Sequence, residues 1–199
     1  ASVPLVLASA SPRRSEILLA AEVPFQVIVS GIEERMRKGE PAADLADRLA
    51  REKAIDVASR LPENPPRPVL GADTIVVAGD EILGKPRDEA HAVELISLLV
   101  GTTHRVMTGI AVTWSDGRPA RSQVVTSHVE MRAATRTEII EYVAVGESLD
   151  KAGGYALQGE GSRFIIGVQG SRSNVIGLPL EETLALLAHA GLSQETLGR

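Results

Sequence analysis

The chain has 199 residues, enough for one domain with a hydrophobic core, and its 44% hydrophobic and 24% charged residues are ordinary for a globular protein. A formal net charge of -5 and an aromatic content of 3% argue against a nucleic-acid partner, which needs a basic surface and aromatic stacking platforms. The sequence has no cysteine, no apolar run of membrane-spanning length and no signal-peptide pattern. We therefore expect one cytoplasmic domain, residues 1–199, with an aliphatic core and no membrane partner.

The first half of the chain alternates short apolar runs with amphipathic segments. Its predicted elements are a strand at 4–8, a helix that begins with Ser11 as N-cap and Pro12, a strand at 25–30, a helix at 41–61 and a strand at 68–80. The helix at 41–61 places leucine and valine at steps of four, and Lys53 lies in the same stripe.

The second half continues this alternation. Its predicted elements are a helix at 87–101, two strands at 104–114 and 121–133 around a turn at 115–117, and helices at 135–146 and 180–191. Between the last two helices, residues 150–164 are rich in glycine and fit neither periodicity, so we interpret them as a functional loop. Together these elements predict an α/β fold with a mixed sheet.

The segment that joins the first strand to the first helix has the features of an anion site. Unpaired N–H groups and the helix dipole face outward at a helix start, and Ser9 and Ser11 add hydroxyl groups there. Arg13 and Arg14 would be unfavourable beside the positive end of the dipole unless an anion binds, and arginine suits phosphate. The alternative interpretation is a capped helix with two solvated arginines.

Two charged residues interrupt apolar patterns. Lys53 either extends its ammonium to solvent, as lysines on apolar stripes usually do, or directs it into a cleft. Asp73 lies within an apolar strand, where a carboxylate must be hydrogen-bonded, paired or metal-bound. At the carboxyl end of a strand it would face the crevice where open α/β sheets bind ligands. The alternative for Asp73 is a side chain satisfied by its own turn.

The remaining candidate residues are cations and carboxylates without a specific motif. Residues 79–86 have the glycine and lysine spacing of a phosphate-binding loop, but Pro86 replaces the magnesium-binding Ser or Thr, so we exclude that loop. Lys85 remains as an exposed cation, and Glu33 and Glu34 are either a solvated turn or oxygen ligands for a divalent ion. Scattered cations, a carboxylate within a sheet and further carboxylates are the groups that phosphoanhydride cleavage requires.

Six blocks of the sequence, in this order, resemble the Maf family of nucleoside triphosphate pyrophosphatases: LASASPRR at 7–14, REKA at 51–54, GADTIV at 71–76, LGKPRD at 83–88, DKAGGYALQG at 150–159 and NVIGLPL at 174–180. The resemblance implies an α/β fold similar to that of the inosine triphosphate pyrophosphatases. That fold has an elongated, twisted mixed sheet flanked by helices, with a cleft between two lobes. The resemblance further implies a homodimer that hydrolyses a nucleoside triphosphate to the monophosphate and pyrophosphate with a divalent cation, Mg2+ or Mn2+.

The same resemblance implies roles for individual residues. The implied catalytic residues are Asp73, as the general base, Lys53 and Lys85. The implied substrate-binding residues are Ser9, Arg13, Arg14, Thr74, Tyr155 and Gln158. The implied metal ligands are Asp73 and one of the two glutamates Glu33 and Glu34.

The residues Thr74, Tyr155 and Gln158 resemble the family members that act on dTTP, UTP and modified pyrimidine analogues. A glutamate at the position of Gln158 would attract the positively charged base of 7-methyl-GTP, whereas glutamine offers a donor and an acceptor to a neutral pyrimidine. Two alternatives are a pyrophosphatase for 7-methyl-GTP and a nucleotide-binding regulator of cell division without turnover.

Overall fold

Strands and helices are interspersed along residues 4–192, the part of the chain that this computed structural model describes. These residues form seven strands: β1 (Leu5–Leu7), β2 (Phe25–Val27), β3 (Pro68–Ala78), β4 (Glu81–Leu83), β5 (Thr103–Trp114), β6 (Arg121–Met131) and β7 (Ile165–Gln169). They also form six α-helices: α1 (Pro12–Ala20), α2 (Ala42–Ala58), α3 (Glu89–Leu99), α4 (Arg136–Ala144), α5 (Arg172–Ile176) and α6 (Leu180–His189). No helix within residues 4–192 is long and apolar enough to cross a membrane.

The sequence patterns predict the longer elements correctly and miss three of the short ones. The elements β4, β7 and α5, of three to five residues, are absent from the prediction, whereas β1 and β2, of three residues each, are predicted because they lie in longer apolar runs. The strand predicted at 25–30 ends at Val27. The amide of Ile28 still donates to the carbonyl of Leu7 at 3.1 Å, but the amide of Gly31 donates to the carboxylate of Asp56 at 3.1 Å, as does the hydroxyl of Ser30 at 2.8 Å.

The seven strands form one mixed sheet. Their order is β2-β1-β3-β5-β6-β7, and β4 pairs with β3 outside this path. β1 runs parallel to both β2 and β3, whereas β4 is antiparallel to β3 and β7 is antiparallel to β6. The predicted α/β class with a mixed sheet and flanking helices is therefore confirmed.

The described chain divides into two compact units. The first unit comprises residues 4–73, 108–125 and 177–192, and the second comprises residues 74–107 and 126–176. Each unit combines segments that are distant in sequence, so no shift in composition marks the boundary between them. The cleft that the family resemblance implies stays a prediction.

The first unit has an aliphatic core, as the composition predicts. Leu18 of α1 and Leu187 of α6 are buried in one cluster with Leu5 of β1. Helix α2 approaches the sheet closely at two glycines, Gly71 on β3 and Gly109 on β5. A Cβ at either position would lie 2.2 Å from a carbonyl oxygen of α2, so any larger residue would displace the helix.

The core of the second unit is partly aromatic, which differs from the expected aliphatic core. Both tyrosines of the chain and one of its two phenylalanines are buried there. The rings of Tyr142 and Phe164 meet edge to face with centroids 5.4 Å apart, and those of Tyr155 and His104 do so at 5.3 Å. A low aromatic content does not keep aromatic rings out of the core when the few rings present are concentrated in one unit.

Candidate active site

The loop between β1 and α1 has the local geometry of an anion site. Ser11 is the N-cap of α1, where its hydroxyl accepts a hydrogen bond from the amide of Arg14 at 3.4 Å, and Pro12 occupies the first helical position. No acidic side chain lies in the first turn of this helix as the structure describes it. The positive end of the helix dipole is therefore not offset by a carboxylate from its own first turn.

The two adjacent arginines of α1 lie in different environments. Arg14 is 8% exposed, with Nε donating to the carbonyl of Gly177 at 2.8 Å and Nη1 donating to the hydroxyl oxygen of Ser9 at 2.9 Å. Burial lowers the pKa of the Arg14 guanidinium, and the negative charge of Asp73 opposes this shift. Arg13 is only partly buried. The alternative of two solvated arginines is therefore wrong for Arg14.

A buried lysine joins two carboxylates in the first unit. Nζ of Lys53 donates to Oδ1 of Asp73 at 2.8 Å and lies 2.9 Å from Oε1 of Glu34. A weaker contact of the same nitrogen reaches the carbonyl of Ala72 at 3.4 Å. Since an ammonium group has three N–H donors, all three have an oxygen to approach. The alternatives of a solvent-directed lysine and of an aspartate satisfied by its own turn are both wrong.

The packing of α2 on the sheet explains how Lys53 reaches Asp73. The predicted stripe of this helix is buried at Leu45, Leu49, Lys53 and Val57. Gly71 and Asp73 are two residues apart on β3, so their side-chain positions lie on the same face of the strand. Because Gly71 has no side chain, the backbone of α2 can approach that face, and the lysine comes within hydrogen-bond distance of the carboxylate.

The two adjacent glutamates, which the sequence could not distinguish, also have different partners. Oε2 of Glu33 pairs with Nε of Arg35 at 2.7 Å, and both side chains are largely exposed. Glu34 instead contacts the buried ammonium of Lys53. The structure thus brings Glu34, and not Glu33, to the nitrogen that also holds Asp73.

The residues Glu34 and Asp73 fit a divalent cation that is shared with a substrate. Residues 4–192 contain no group of three or more histidine, aspartate and glutamate side chains arranged to hold a metal by themselves. Magnesium, however, is usually bound in proteins through one or two carboxylates together with substrate phosphates. Glu34 and Asp73 offer two carboxylates close to each other, because both lie within 3 Å of the same Lys53 nitrogen.

The other predicted site residues belong to the second unit and are not equally accessible. Thr74 is half-buried on β3, Lys85 is exposed after β4, and Gln158 is exposed just before a 3-10 turn. Tyr155 is 5% exposed, and its hydroxyl lies 2.6 Å from Nε2 of His104. The Tyr155 side chain therefore also contributes to the core of the second unit.

His104 and Glu147, for which the sequence predicts no role, contact residues of the glycine-rich loop. Burial lowers the pKa of His104 to about 4 and raises the pKa of its partner Tyr155. The carboxylate of Glu147 accepts hydrogen bonds from the hydroxyl of Tyr142 at 3.1 Å and from the amide of Glu160 at 3.0 Å. The His104 contact spans 51 residues and the Glu160 contact 13, so no local pattern could have indicated either one.

Comparisons with known proteins show the family to which the chain belongs. The family model for Maf-like proteins matches residues 4–190. A dTTP/UTP pyrophosphatase of Myxococcus xanthus is 50% identical over 188 residues, which cover 94% of this chain and 93% of that protein. Proteins of the same name from Salmonella typhimurium and Escherichia coli O157:H7 are 48% and 45% identical, over 93% and 96% of this chain and 92% and 95% of their own lengths. A match of this extent shows that the chain belongs to the family of Maf-like proteins.

Proposed function

We propose that this protein hydrolyses nucleoside triphosphates to the monophosphate and pyrophosphate, with dTTP, UTP and modified pyrimidine analogues as substrates. The observation that carries the proposal is the buried carboxylate of Asp73, hydrogen-bonded to Lys53 beside Glu34. The relatives named dTTP/UTP pyrophosphatase support it, because their 45–50% identity extends over more than nine tenths of this chain.

Asp73 is the base in this reaction. Its carboxylate accepts a proton from water as the water oxygen bonds to the α-phosphorus, while the bond to the bridging oxygen breaks and pyrophosphate leaves. Lys53 orients this carboxylate by holding one of its oxygens, at 2.8 Å. The lysine ammonium also contributes positive charge where negative charge develops on the phosphate oxygens.

The start of α1 binds the phosphates. Its N–H groups and dipole favour an anion, the hydroxyl of Ser9 lies beside it, and Arg13 adds a positive charge in its first turn. Lys85 is a further cation for the triphosphate, in accord with its exposure in the second unit. A phosphate bound here would offset the positive charge of Arg13 at a helix end that otherwise disfavours positive charge.

A divalent cation, Mg2+ or Mn2+, would be held by Glu34 and Asp73 together with oxygens of the substrate. When bound, it would stabilise the negative charge of the phosphates during hydrolysis. Lys53 keeps the two carboxylates near each other before substrate arrives, because one nitrogen contacts both. Glu33 is a weaker candidate, since its carboxylate pairs with Arg35 at the surface.

The preference for pyrimidines is assigned to Thr74, Tyr155 and Gln158. A neutral glutamine in an exposed position can both donate to and accept from a pyrimidine edge, and it lacks the charge that would favour a methylated, positively charged guanine. The homodimer and the cytoplasmic location stay predictions of the family resemblance.

Release of pyrophosphate from a panel of triphosphates tests the proposal. The panel contains dTTP, UTP, CTP, 5-methyl-UTP, 7-methyl-GTP and ITP, each with magnesium and with manganese. We expect turnover of dTTP, UTP and 5-methyl-UTP, and much slower turnover of 7-methyl-GTP. Tight nucleotide binding without turnover of any triphosphate would contradict the proposal and favour a regulator.

The variant Asp73→Asn tests the role of the base. It should lower kcat by about a hundredfold to ten-thousandfold, the usual contribution of a general base, while dTTP still binds. The matched control is Asp80→Asn, which changes an exposed carboxylate in the turn after β3 and should leave turnover unchanged. Near-normal turnover in Asp73→Asn would remove the base from this mechanism.

A further inference from the structure

The hydroxyl of Ser9 accepts two hydrogen bonds at the start of α1. Its Oγ is the acceptor for the amide of Ser11 at 3.2 Å and for Nη1 of Arg14 at 2.9 Å. A serine hydroxyl has two lone pairs and one proton, so two incoming hydrogen bonds engage both lone pairs. The hydroxyl of Ser9 can therefore form one further hydrogen bond, in which it donates its proton. Such a donor suits the oxygen of an anion, which accepts hydrogen bonds and has none to donate.

Arg14 holds this hydroxyl from a fixed position. Its Nε donates to the carbonyl of Gly177 at 2.8 Å, and the residue is 8% exposed. Because the guanidinium is planar, the bond to Gly177 fixes the plane in which Nη1 approaches Ser9. Ser9, Arg14 and Gly177 all belong to the first unit. Two nitrogens of the Arg14 guanidinium, Nε and Nη1, thus donate hydrogen bonds to oxygens of the protein itself.

We propose that Arg14 is a positioning residue that fixes the Ser9 hydroxyl as a hydrogen-bond donor to a phosphate oxygen of the nucleotide, and that Arg14 is not itself a phosphate ligand. The inference rests on the proposed function, because it requires a phosphate at the start of α1. It separates Arg14 from Arg13, although the family resemblance implies substrate binding for both residues.

A double-mutant cycle with Ser9→Ala and Arg14→Lys tests whether the two residues act together. Ser9→Ala should lower kcat/KM for dTTP by about tenfold or more, because it removes a hydrogen bond to a charged group. A lysine has one nitrogen and does not reproduce the pair of bonds to Ser9 and Gly177. Arg14→Lys should therefore lower kcat/KM several-fold when Ser9 is present, and by less than about twofold when position 9 is alanine.

Equal losses on Arg14→Lys in both backgrounds would overturn the inference, because Arg14 would then act independently of Ser9. The variant Arg14→Gln repeats the measurement without the charge. Urea unfolding shows whether each variant is folded. Failure of both Arg14 variants to fold would also overturn the inference, since Arg14 would then serve the fold and not the hydroxyl.

Failure of the proposed function gives a different result. If the wild-type protein hydrolyses none of the triphosphates, the proposed function is contradicted. The double-mutant cycle can then still be measured, with the dissociation constant for inorganic pyrophosphate in place of kcat/KM. The expected pattern is unchanged: Arg14→Lys weakens pyrophosphate binding several-fold with Ser9 and by less than about twofold with alanine at position 9. Equal weakening in the two backgrounds, or no binding of pyrophosphate by the wild type, overturns the inference.

Discussion

Lowering the pH should destabilise this protein through His104. The ring is 1% exposed, its Nε2 lies 2.6 Å from the hydroxyl of Tyr155, and its Nδ1 has no hydrogen-bond partner among the described residues. Burial lowers the pKa of His104 from 6.5 to about 4. Protonation of the folded protein would place a positive charge in the core of the second unit without an acceptor for the Nδ1 proton.

The free energy of unfolding should therefore fall as the pH falls. Between pH 6.5 and about 4 the unfolded chain binds a proton at His104 that the folded chain does not bind, which favours unfolding. At about 1.4 kcal/mol per pH unit, this interval corresponds to a loss of about 3 kcal/mol, complete near the pKa of the folded state. Above pH 6.5 the ring is neutral in both states, and the contribution of His104 no longer changes.

Urea unfolding of the wild type and of His104→Gln across this pH range measures the effect. Glutamine can still bond to the hydroxyl of Tyr155 but does not titrate, so the variant should lose about 3 kcal/mol less than the wild type on acidification. His189→Gln is the matched control, because His189 lies exposed on α6 and the variant, which keeps His104, should still show the loss of about 3 kcal/mol on acidification. Parallel profiles for the wild type and His104→Gln would refute the reasoning.

Two further predictions concern the first unit. Glu34→Gln should raise the magnesium concentration for half-maximal turnover by about tenfold or more, whereas Glu33→Gln should change that concentration far less. Equal effects of the two variants in a magnesium titration would contradict the assignment of Glu34 as a metal ligand. Gly71→Ala should lower the free energy of unfolding by about 1–3 kcal/mol and reduce turnover, because its Cβ would lie 2.2 Å from the carbonyl oxygen of Ala50. Gly167→Ala is the control in urea unfolding, since a Cβ there meets no atom within 4 Å, and a similar loss in both variants would show that close packing is not the cause.

Local sequence patterns predicted the elements that carry the site. The N-cap Ser11 and Pro12 marked the start of α1, and the apolar stripe of α2 included Lys53, although the pattern left open whether its ammonium faces solvent or a cleft. The polar interruption of an apolar run marked Asp73 as a carboxylate that needs a partner. These features are local, because capping, helical period and burial depend on residues a few positions apart.

The partners of the site residues could not be predicted from such patterns. Two adjacent glutamates have the same local sequence context, yet only Glu34 contacts Lys53, because the course of the chain before α2 directs Glu33 toward Arg35. The histidine that contacts Tyr155 lies 51 residues before it, and nothing near His104 in the sequence indicates this contact.

The amino-acid sequence by itself determined the α/β class, the charge and composition that disfavour nucleic-acid binding, and the positions of the charged residues within their elements. Only the tertiary structure decided that Lys53 lies between Asp73 and Glu34, and that Arg14 turns inward to Ser9 and Gly177. The physical reason is that periodicity sets which face of an element is buried. Which groups meet on that face depends on how closely distant elements pack.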